Sequence, residues 1–307
     1  MESINPGENV QFYPARQRLV PNCKICKVVH NLSQDKYDYM VIDDKKRRIV
    51  ELRQHMKYGE ISTVYKISNA DGYDNTDILT EFDRAVLSVC VSNFAIGNRC
   101  VTPAVILRGL TGKTSKGGRG KIQKGQLEAI LLSVKKLMNT IIDLDNTQPN
   151  EYLNYGSKKT ARICSALLPA YIANETTING QKAYIIGFNR ESPLMQIARE
   201  RKQVLTYDVK LLDVPGQHNT WMNITLKNYA MSRVQEIKLH RMHPTITFAD
   251  IFEKAHIAPT DRNARQSARN ALINFFEHLK KNGEIRSFKL ICGKSKFQSI
   301  KFDYFIK

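Results

Sequence analysis

Apolar residues in the C-terminal third of the chain recur at helical spacing and then switch to strict alternation. The helical spacing predicts three helices. The first begins near Trp221, the second is capped by Thr247 and the third by Thr260, and the third ends at Asn282–Gly283. Alternating apolar residues in 285–292 and 297–305 predict a hairpin across residues 293–296. Residues 221–307 are therefore expected to form one unit of three helices and a hairpin.

A matching series of helices is predicted after residue 80. Thr80, with Asp83 three positions later, is typical of a helix N-cap, and Gly97–Asn98 is typical of a helix end. Thr102–Pro103 predicts the start of a second helix, because proline suits the first helical position. The spacing of apolar residues from Leu127 to Met138 predicts the third helix.

The hairpin of this middle unit is predicted to be interrupted by an insertion. The extended stretches 163–173 and 183–188 flank Asn179–Gly180, a pair typical of tight hairpin turns. Residues 146–158 are interpreted as the insertion. Residues 80–190 therefore form a second candidate for the same fold unit.

The remaining segments are less regular. Residues 1–20 are interpreted as an arm or loop, 21–70 as a few strands or one hairpin, and 69–75 as a turn-rich linker. Residues 190–220 are expected to form a connecting helix and loop. The predicted division is 1–79, 80–190, 191–220 and 221–307.

Helices followed by a hairpin, in this order, are typical of a winged helix, a fold that commonly places one helix in a DNA groove. The predicted fold class is α+β, with two winged-helix units in tandem and a small β-containing N-terminal region. Charge agrees with that prediction. The chain has 307 residues and a net charge of +18, divided as +1, +9 and +8 over residues 1–79, 80–210 and 211–307. Such a surface attracts a phosphate backbone, so double-stranded DNA is the expected partner.

The third helix of the C-terminal unit carries the strongest candidates for reading bases. Arginine can donate two hydrogen bonds to guanine, and glutamine can pair in the same way with adenine. The candidates in the first half of this helix are Arg262, Arg265, Gln266 and Arg269. They are predicted to lie mainly opposite Leu272 and Phe275. Lys294 and Lys296 at the hairpin tip are expected to contact phosphates.

A basic, glycine-rich segment follows the second helix of the middle unit. Glycines let a backbone approach phosphates or the minor groove closely. The expected contacts are Lys113, Lys116, Arg119, Lys121 and Lys124. The segment also resembles the end of a nucleotide-binding P-loop, but Leu107 occupies the position where that motif needs glycine.

No pattern of catalytic residues stands out, so we expect a DNA-binding protein that is not an enzyme and needs no cofactor. Six cysteines are sparse and are interpreted as reduced thiols of a cytoplasmic protein. Cys23 and Cys26 have metal-knuckle spacing with His30 nearby, but no second pair follows at the right distance. Two ordinary thiols are favoured there. No apolar run is long enough for a membrane span, so no membrane partner is expected.

Two predicted winged helices on a basic chain resemble the replication initiator proteins of iteron-type plasmids. The resemblance is one of architecture over residues 80–188 and 222–305, with its closest support in the helix 261–281 and the hairpin 285–305. It implies a non-enzymatic protein that binds repeated origin sequences. The N-terminal 70 residues, the basic glycine segment and the insertion depart from that pattern.

Three functions remain open at this point. The first is a sequence-specific initiator of a plasmid or mobile element, which contacts replication or host proteins. The second is a transcriptional repressor of a mobile element or phage, which predicts a homodimer on a palindromic operator. The third is a phage-type inhibitor or scaffold that binds protein or RNA.

Overall fold

The computed structural model describes residues 10–11, 14–22, 26, 39–43, 48–58, 61–73, 79–113, 122–145, 162–178, 181–292 and 297–305. Its helices are α1 (Glu81–Ala95), α2 (Pro103–Thr111), α3 (Lys124–Asn139), α4 (Pro193–Glu200), α5 (Trp221–His240), α6 (Phe248–Lys254) and α7 (Arg262–Lys281), with a 3-10 turn at Val209–Leu212. Its strands are β1 (Val10–Gln11), β2 (Gln17–Pro21), β3 (Tyr39–Asp43), β4 (Arg48–Tyr58), β5 (Ile61–Tyr73), β6 (Cys100–Val101), β7 (Thr140–Asp145), β8 (Arg162–Ala166), β9 (Ala170–Ile178), β10 (Gln181–Phe188), β11 (Val204–Asp208), β12 (Thr245–Thr247), β13 (Ser287–Cys292) and β14 (Phe297–Asp303). This mixture of helices and sheets confirms the α+β class.

Residues 81–188, called here the first helical unit, contain α1, α2 and α3. The Thr80 side chain accepts a hydrogen bond from the Asp83 amide while the Asp83 carboxylate accepts one from the Thr80 amide, so the predicted cap is confirmed. The Thr102 side chain accepts a hydrogen bond from the Val105 amide and so caps α2, which begins at Pro103. Short-range hydrogen bonds therefore fix both helix starts.

The sheet of the first helical unit has the strand order β1-β6-β10-β9. β9 and β10 form the predicted hairpin, although its turn, Asn179–Gly180, lies outside the described residues. The prediction of one extended stretch over 163–173 is wrong. That stretch breaks at residues 167–169, because β8 pairs with β7 in another sheet while β9 pairs with β10. The predicted insertion at 146–158 is also outside the described residues.

Residues 221–303, called here the second helical unit, contain α5, α6 and α7 and a three-stranded sheet of order β12-β14-β13. The Thr247 side chain accepts a hydrogen bond from the Asp250 amide, which confirms the predicted start of α6. The predicted cap of α7 was one residue early. Asp261, not Thr260, caps this helix, because the Asp261 carboxylate accepts the Ala264 amide at 2.8 Å.

The N-terminal strands join a larger sheet of order β3-β4-β5-β7-β8. The prediction of strands in 21–70 is confirmed by β3, β4 and β5. The linker predicted at 69–75 is wrong for residues 69–73, which are the end of β5. Pairing across the sheet holds that end extended, since Asn69 lies opposite Thr140 and Tyr73 lies opposite Ile49.

The segment predicted as an N-terminal arm is partly a strand, because β2 pairs antiparallel with β11. Arg18 in β2 is buried beneath α1 and α2. Its guanidinium donates to the Ala85 carbonyl at 3.1 Å and the Gly109 carbonyl at 2.5 Å. Burial lowers the pKa of Arg18. These bonds tie residues 17–21 to the first helical unit.

The two helical units are joined through their first helices. The rings of Phe82 and Trp221 meet edge to face with centroids 4.5 Å apart. The Asn228 amide in α5 donates to the Leu110 carbonyl at 3.0 Å. Gly112, at φ +83°, approaches so closely that a Cβ there would lie 2.4 Å from the Asp213 nitrogen. The end of α2 is therefore fastened against the second helical unit.

Candidate nucleic-acid interface

The position of α7 is set by its apolar stripe. Ala268, Leu272, Phe275, Phe276 and Leu279 are buried along one side of the helix and belong to the core of the second helical unit. These residues follow the spacing of an amphipathic helix, so the opposite side is left to solvent. The first half of the helix therefore offers a polar surface on a rigid element.

Arg262 and Gln266 lie on that exposed surface, as expected from the sequence. Four further exposed polar residues share it and were not singled out from the sequence, namely Asn263, Ser267, Asn270 and Asn274. The Gln266 amide donates to the Asn270 side-chain oxygen at 3.0 Å. Amides recurring at three- and four-residue spacing were the signal that could have identified this row.

Arg265 and Arg269 occupy a different environment. Both are half-buried, so the prediction that they lie opposite the apolar stripe is wrong. Arg265 comes seven positions before Leu272 and Arg269 seven before Phe276, and residues two turns apart share one side of a helix. The Arg265 guanidinium lies over the Phe252 ring, 4.9 Å from its centroid, and the Arg269 guanidinium lies 5.2 Å from the same centroid. Arg269 also lies 5.6 Å from the centroid of Phe248. Two rings of α6 thus form a shelf beneath both cations.

One donor of each of these two arginines is left without a partner. The Nε atoms of Arg265 and Arg269 are buried and have no hydrogen-bond partner among the residues described. A guanidinium carries five donors in a planar fork that matches an acceptor pair such as guanine O6 and N7. Stacking on the two phenylalanine rings restricts the Arg265 and Arg269 side chains without using their N–H donors. This arrangement suits recognition of an incoming acceptor.

The hairpin β13–β14 adds a basic surface beside α7. Lys289 and Lys301 are directly opposite each other in the pairing of the two strands. Like charges at such positions repel, so a bound anion between or above them would relieve the repulsion. Lys294 and Lys296, expected at the hairpin tip, lie outside the described residues.

The third helix of the first helical unit presents a different surface. Lys124 is exposed and lies 3.9 Å from the carboxylate of Glu128, while Lys136 is held 3.6 Å from Asp83. The apolar side chain of Leu132 is also exposed. An acidic and an apolar residue among the cations make α3 less suited than α7 to reading base edges.

The basic glycine segment is described only at its start. Lys113 is exposed immediately after Gly112, whereas Lys116, Arg119 and Lys121 lie outside the described residues. Because Gly112 is fastened against Asp213, the segment leaves the fold at the junction of the two helical units.

Several further features bear on metal binding, thiol chemistry and membrane association. The described residues contain no group of three or more His, Cys, Asp or Glu side chains placed to hold a metal ion. Cys26 is buried, and Cys23 is outside the described part of the chain. Burial raises the pKa of Cys90 to about 12, which disfavours a reactive thiolate. None of the described helices is long and apolar enough to cross a membrane.

The chain was compared with known proteins and structures. No protein-family model matches it, and no curated protein matches it. Two crystal structures of domains 2 and 3 of RctB, one of them a selenomethionine derivative, align with a TM-score of 0.42. Their identities are 15% and 14%, and each alignment covers 86% of this chain and 94% of the other. A likeness at this level does not establish a shared fold, and the resemblance to plasmid initiators stays a prediction.

Proposed function

We propose that each helical unit is a winged helix and that the chain is a sequence-specific binder of double-stranded DNA, with α7 as its recognition helix. The observation that carries the proposal is the first half of α7. It presents Arg262, Gln266 and a row of amides, next to Arg265 and Arg269, whose Nε atoms have no hydrogen-bond partner among the described residues.

The topology of both units supports the proposed fold. Each has a helix, a short strand, two further helices and a hairpin, and in the first unit β7 and β8 stand between the third helix and the hairpin. In each sheet the short strand pairs with the second strand of the hairpin, as β6 does with β10 and β12 does with β14. This arrangement leaves the third helix of each unit available to a groove.

The proposed mode of binding follows from the side chains. The exposed amides of α7 suit adenine, and the arginines suit guanine, when the helix lies in the major groove. Lys289 and Lys301 then contact phosphates and fix the register without reading sequence. The net charge of +18 speeds association and makes affinity fall steeply with salt.

The proposed role is a replication initiator of a plasmid or mobile element. It acts in the cytoplasm by binding a repeated origin sequence, and it uses no catalysis and no cofactor. A transcriptional repressor would use the same interface, so the two roles differ in the arrangement of their sites. An initiator binds direct repeats, whereas a dimeric repressor binds a palindrome.

Selection of bound sequences from a random duplex pool at about 150 mM salt tests the proposal, because this salt suppresses nonspecific attraction to phosphates. We expect one sharp motif, and direct repeats of it beside the gene would favour the initiator role. Failure to enrich any motif would overturn sequence-specific binding and favour a protein or RNA target.

A further inference from the structure

A groove of about 730 Å³ lies at the opposite end of α7 from the proposed recognition residues. The separation between Gln266 and Gly283 is roughly 25 Å along the helix direction, given the rise per residue. One side of the groove is β11, and the others are the end of α5 and the residues that follow α7 and β14. The residues that line it include Val204, Thr206, Lys238, Leu239, Arg241 and Phe305.

The β11 backbone turns an unpaired edge toward this groove. The Asn22 amide donates to the Gln203 carbonyl at 3.0 Å, and the Val209 amide donates to the Arg16 carbonyl at 2.9 Å. In an antiparallel pair the bonded residues alternate, so Leu205 and Tyr207 also bond to β2. Val204 and Thr206 therefore point their amides and carbonyls away from β2.

A second contact confirms this alternation. Leu19 lies opposite Thr206, and its amide donates to the Ser92 hydroxyl at 2.8 Å rather than to β11. Among the described strands, β2 alone pairs with β11. Exposed strand edges are usually protected by lysine, proline or a bulge. The β11 sequence, VLTYD, contains neither lysine nor proline, and the strand pairs with β2 without the register shift that a bulge would cause.

The walls of the groove fit an extended segment with apolar side chains. Leu239 is 51% exposed and Phe305 is 47% exposed, although both are large apolar residues lining the same cleft. Alternate side chains of an added strand point to the same face, so Leu239 and Phe305 can select a strand that has apolar residues at alternate positions.

The charges of the groove favour an acidic occupant. The Lys238 ammonium is paired with Glu284 at 2.6 Å. Arg241, at the end of α5, forms no ion pair within the part of the chain that the structure describes. A second copy of the chain would bring its own charge of +18, which opposes its association with this basic chain.

We propose that this groove binds an extended, acidic segment of a partner protein by strand addition to β11. The added strand pairs with the free backbone groups of Val204 and Thr206. Its apolar side chains contact Leu239 and Phe305, and its carboxylate pairs with Arg241. This site is separate from the proposed recognition residues in the first half of α7, so it allows the chain to hold DNA and a protein partner together.

Two variants and one control isolate the site. Thr206→Pro removes the amide that points into the groove and leaves the bonds to β2 in place. Leu239→Glu places a like charge beside an acidic peptide on an exposed position. Ile96→Glu is the matched control, because Ile96 is 55% exposed and is not part of the groove lining.

The experiment selects linear peptides from a phage-displayed library of roughly 12-residue sequences, long enough to span β11 as an added strand. We expect peptides that alternate apolar residues and include acidic ones, with affinity at least about tenfold weaker for both variants and unchanged for the control. Circular dichroism checks folding, and if Thr206→Pro is unfolded, Leu239→Glu decides the outcome.

Three results would overturn the proposal: no enriched pattern, enriched peptides that are basic, or peptides that bind Leu239→Glu as tightly as the original chain. A dimer seen by sedimentation and lost in Leu239→Glu would identify a second copy as the occupant and would also contradict it. Duplex binding is measured in parallel, so failure of this site is distinguishable from failure of the proposed DNA binding.

Discussion

The two helical units share an order of elements but differ in what their third helices present to solvent. The exposed surface of α7 combines arginine with a row of amides, whereas that of α3 combines Lys124 with Glu128 and Leu132. A scaffold fixes where a helix lies, but its exposed side chains decide what it can recognise. For that reason the proposed base reading is placed on the second unit.

The units also differ in how the second and third helices are connected. Residues 255–261 join α6 to α7, whereas residues 112–123, with the basic glycine segment, join α2 to α3. Glycine and lysine provide phosphate contacts without a fixed geometry. Under the proposed DNA binding, we expect the first unit to contact the DNA backbone and the second to read sequence.

The largest expected effect is on α7. Replacing both Arg265 and Arg269 with alanine removes two base contacts and weakens specific binding by roughly 1–3 kcal/mol for each. Nonspecific duplex binding should change far less, which fluorescence anisotropy on specific and scrambled duplexes will show.

Arg99→Ala is the matched control for that double variant, because Arg99 also stacks on a ring, 5.0 Å from the centroid of Phe94, but lies in the first helical unit. It should retain discrimination. Equal losses on every duplex would reassign Arg265 and Arg269 to phosphate contacts.

The next largest expected effect is on stability and concerns a buried lysine in α5, the first helix of the second unit. Counted from their N-cap threonines, Leu87 of α1 and Lys227 of α5 are equivalent, and both are fully buried. Burial lowers the pKa of Lys227 from its ordinary 10.5 to about 8, with Asp213 opposing that shift. The Lys227 ammonium donates to the Leu212 carbonyl at 2.7 Å.

A buried lysine of this kind makes stability depend on pH. Between about pH 8 and 10.5 the folded chain has lost the proton that the unfolded chain still holds, so stability rises with pH, by up to ~3 kcal/mol. Lys227→Met removes this dependence of stability on pH. Urea unfolding of both proteins across that range should show the stability of the original chain, relative to that of the variant, rising with pH, and a constant difference would contradict the prediction.

The basic glycine segment should affect all duplexes alike. Replacing Lys113, Lys116, Arg119 and Lys121 with alanine removes up to four phosphate contacts. Between 50 and 200 mM salt, affinity should then fall about 10²-fold less than in the original chain. Titrations at several salt concentrations measure that slope. A loss restricted to the preferred motif would assign base reading to the first unit.

The smallest expected effect is at the junction of the units. Asn228→Ala removes the bond to the Leu110 carbonyl and should lower stability by roughly 1–2 kcal/mol. Because the bond links the two units, calorimetry should show their unfolding separating. A single transition at an unchanged temperature would show that this bond does not couple them.

The sequence predicted features that depend on near neighbours. Thr80, Thr102 and Thr247 were identified as caps because each bonds an amide only three positions away. The strands β2, β7 and β11 were not predicted, since their pairing partners are remote in the chain. Nothing local marks Arg18 as buried, because α1 and α2 supply its partners.

In the candidate site, too, the sequence predicted what depends on near neighbours and not what depends on remote residues. Helical spacing placed Arg262 and Gln266 on the exposed side of α7 correctly. It did not predict the shelf beneath Arg265 and Arg269, because Phe248 and Phe252 belong to another helix. The exposed asparagines could have been found from their spacing alone.

The most direct test of base reading by α7 is a double-mutant cycle on the selected duplex. One change is the Arg265→Ala/Arg269→Ala variant, and the other replaces the guanines of the motif with 7-deazaguanine, which lacks the N7 acceptor. The two losses should be coupled, with at least about 1 kcal/mol shared between them. Strictly additive losses would contradict the claim that these arginines contact guanine bases.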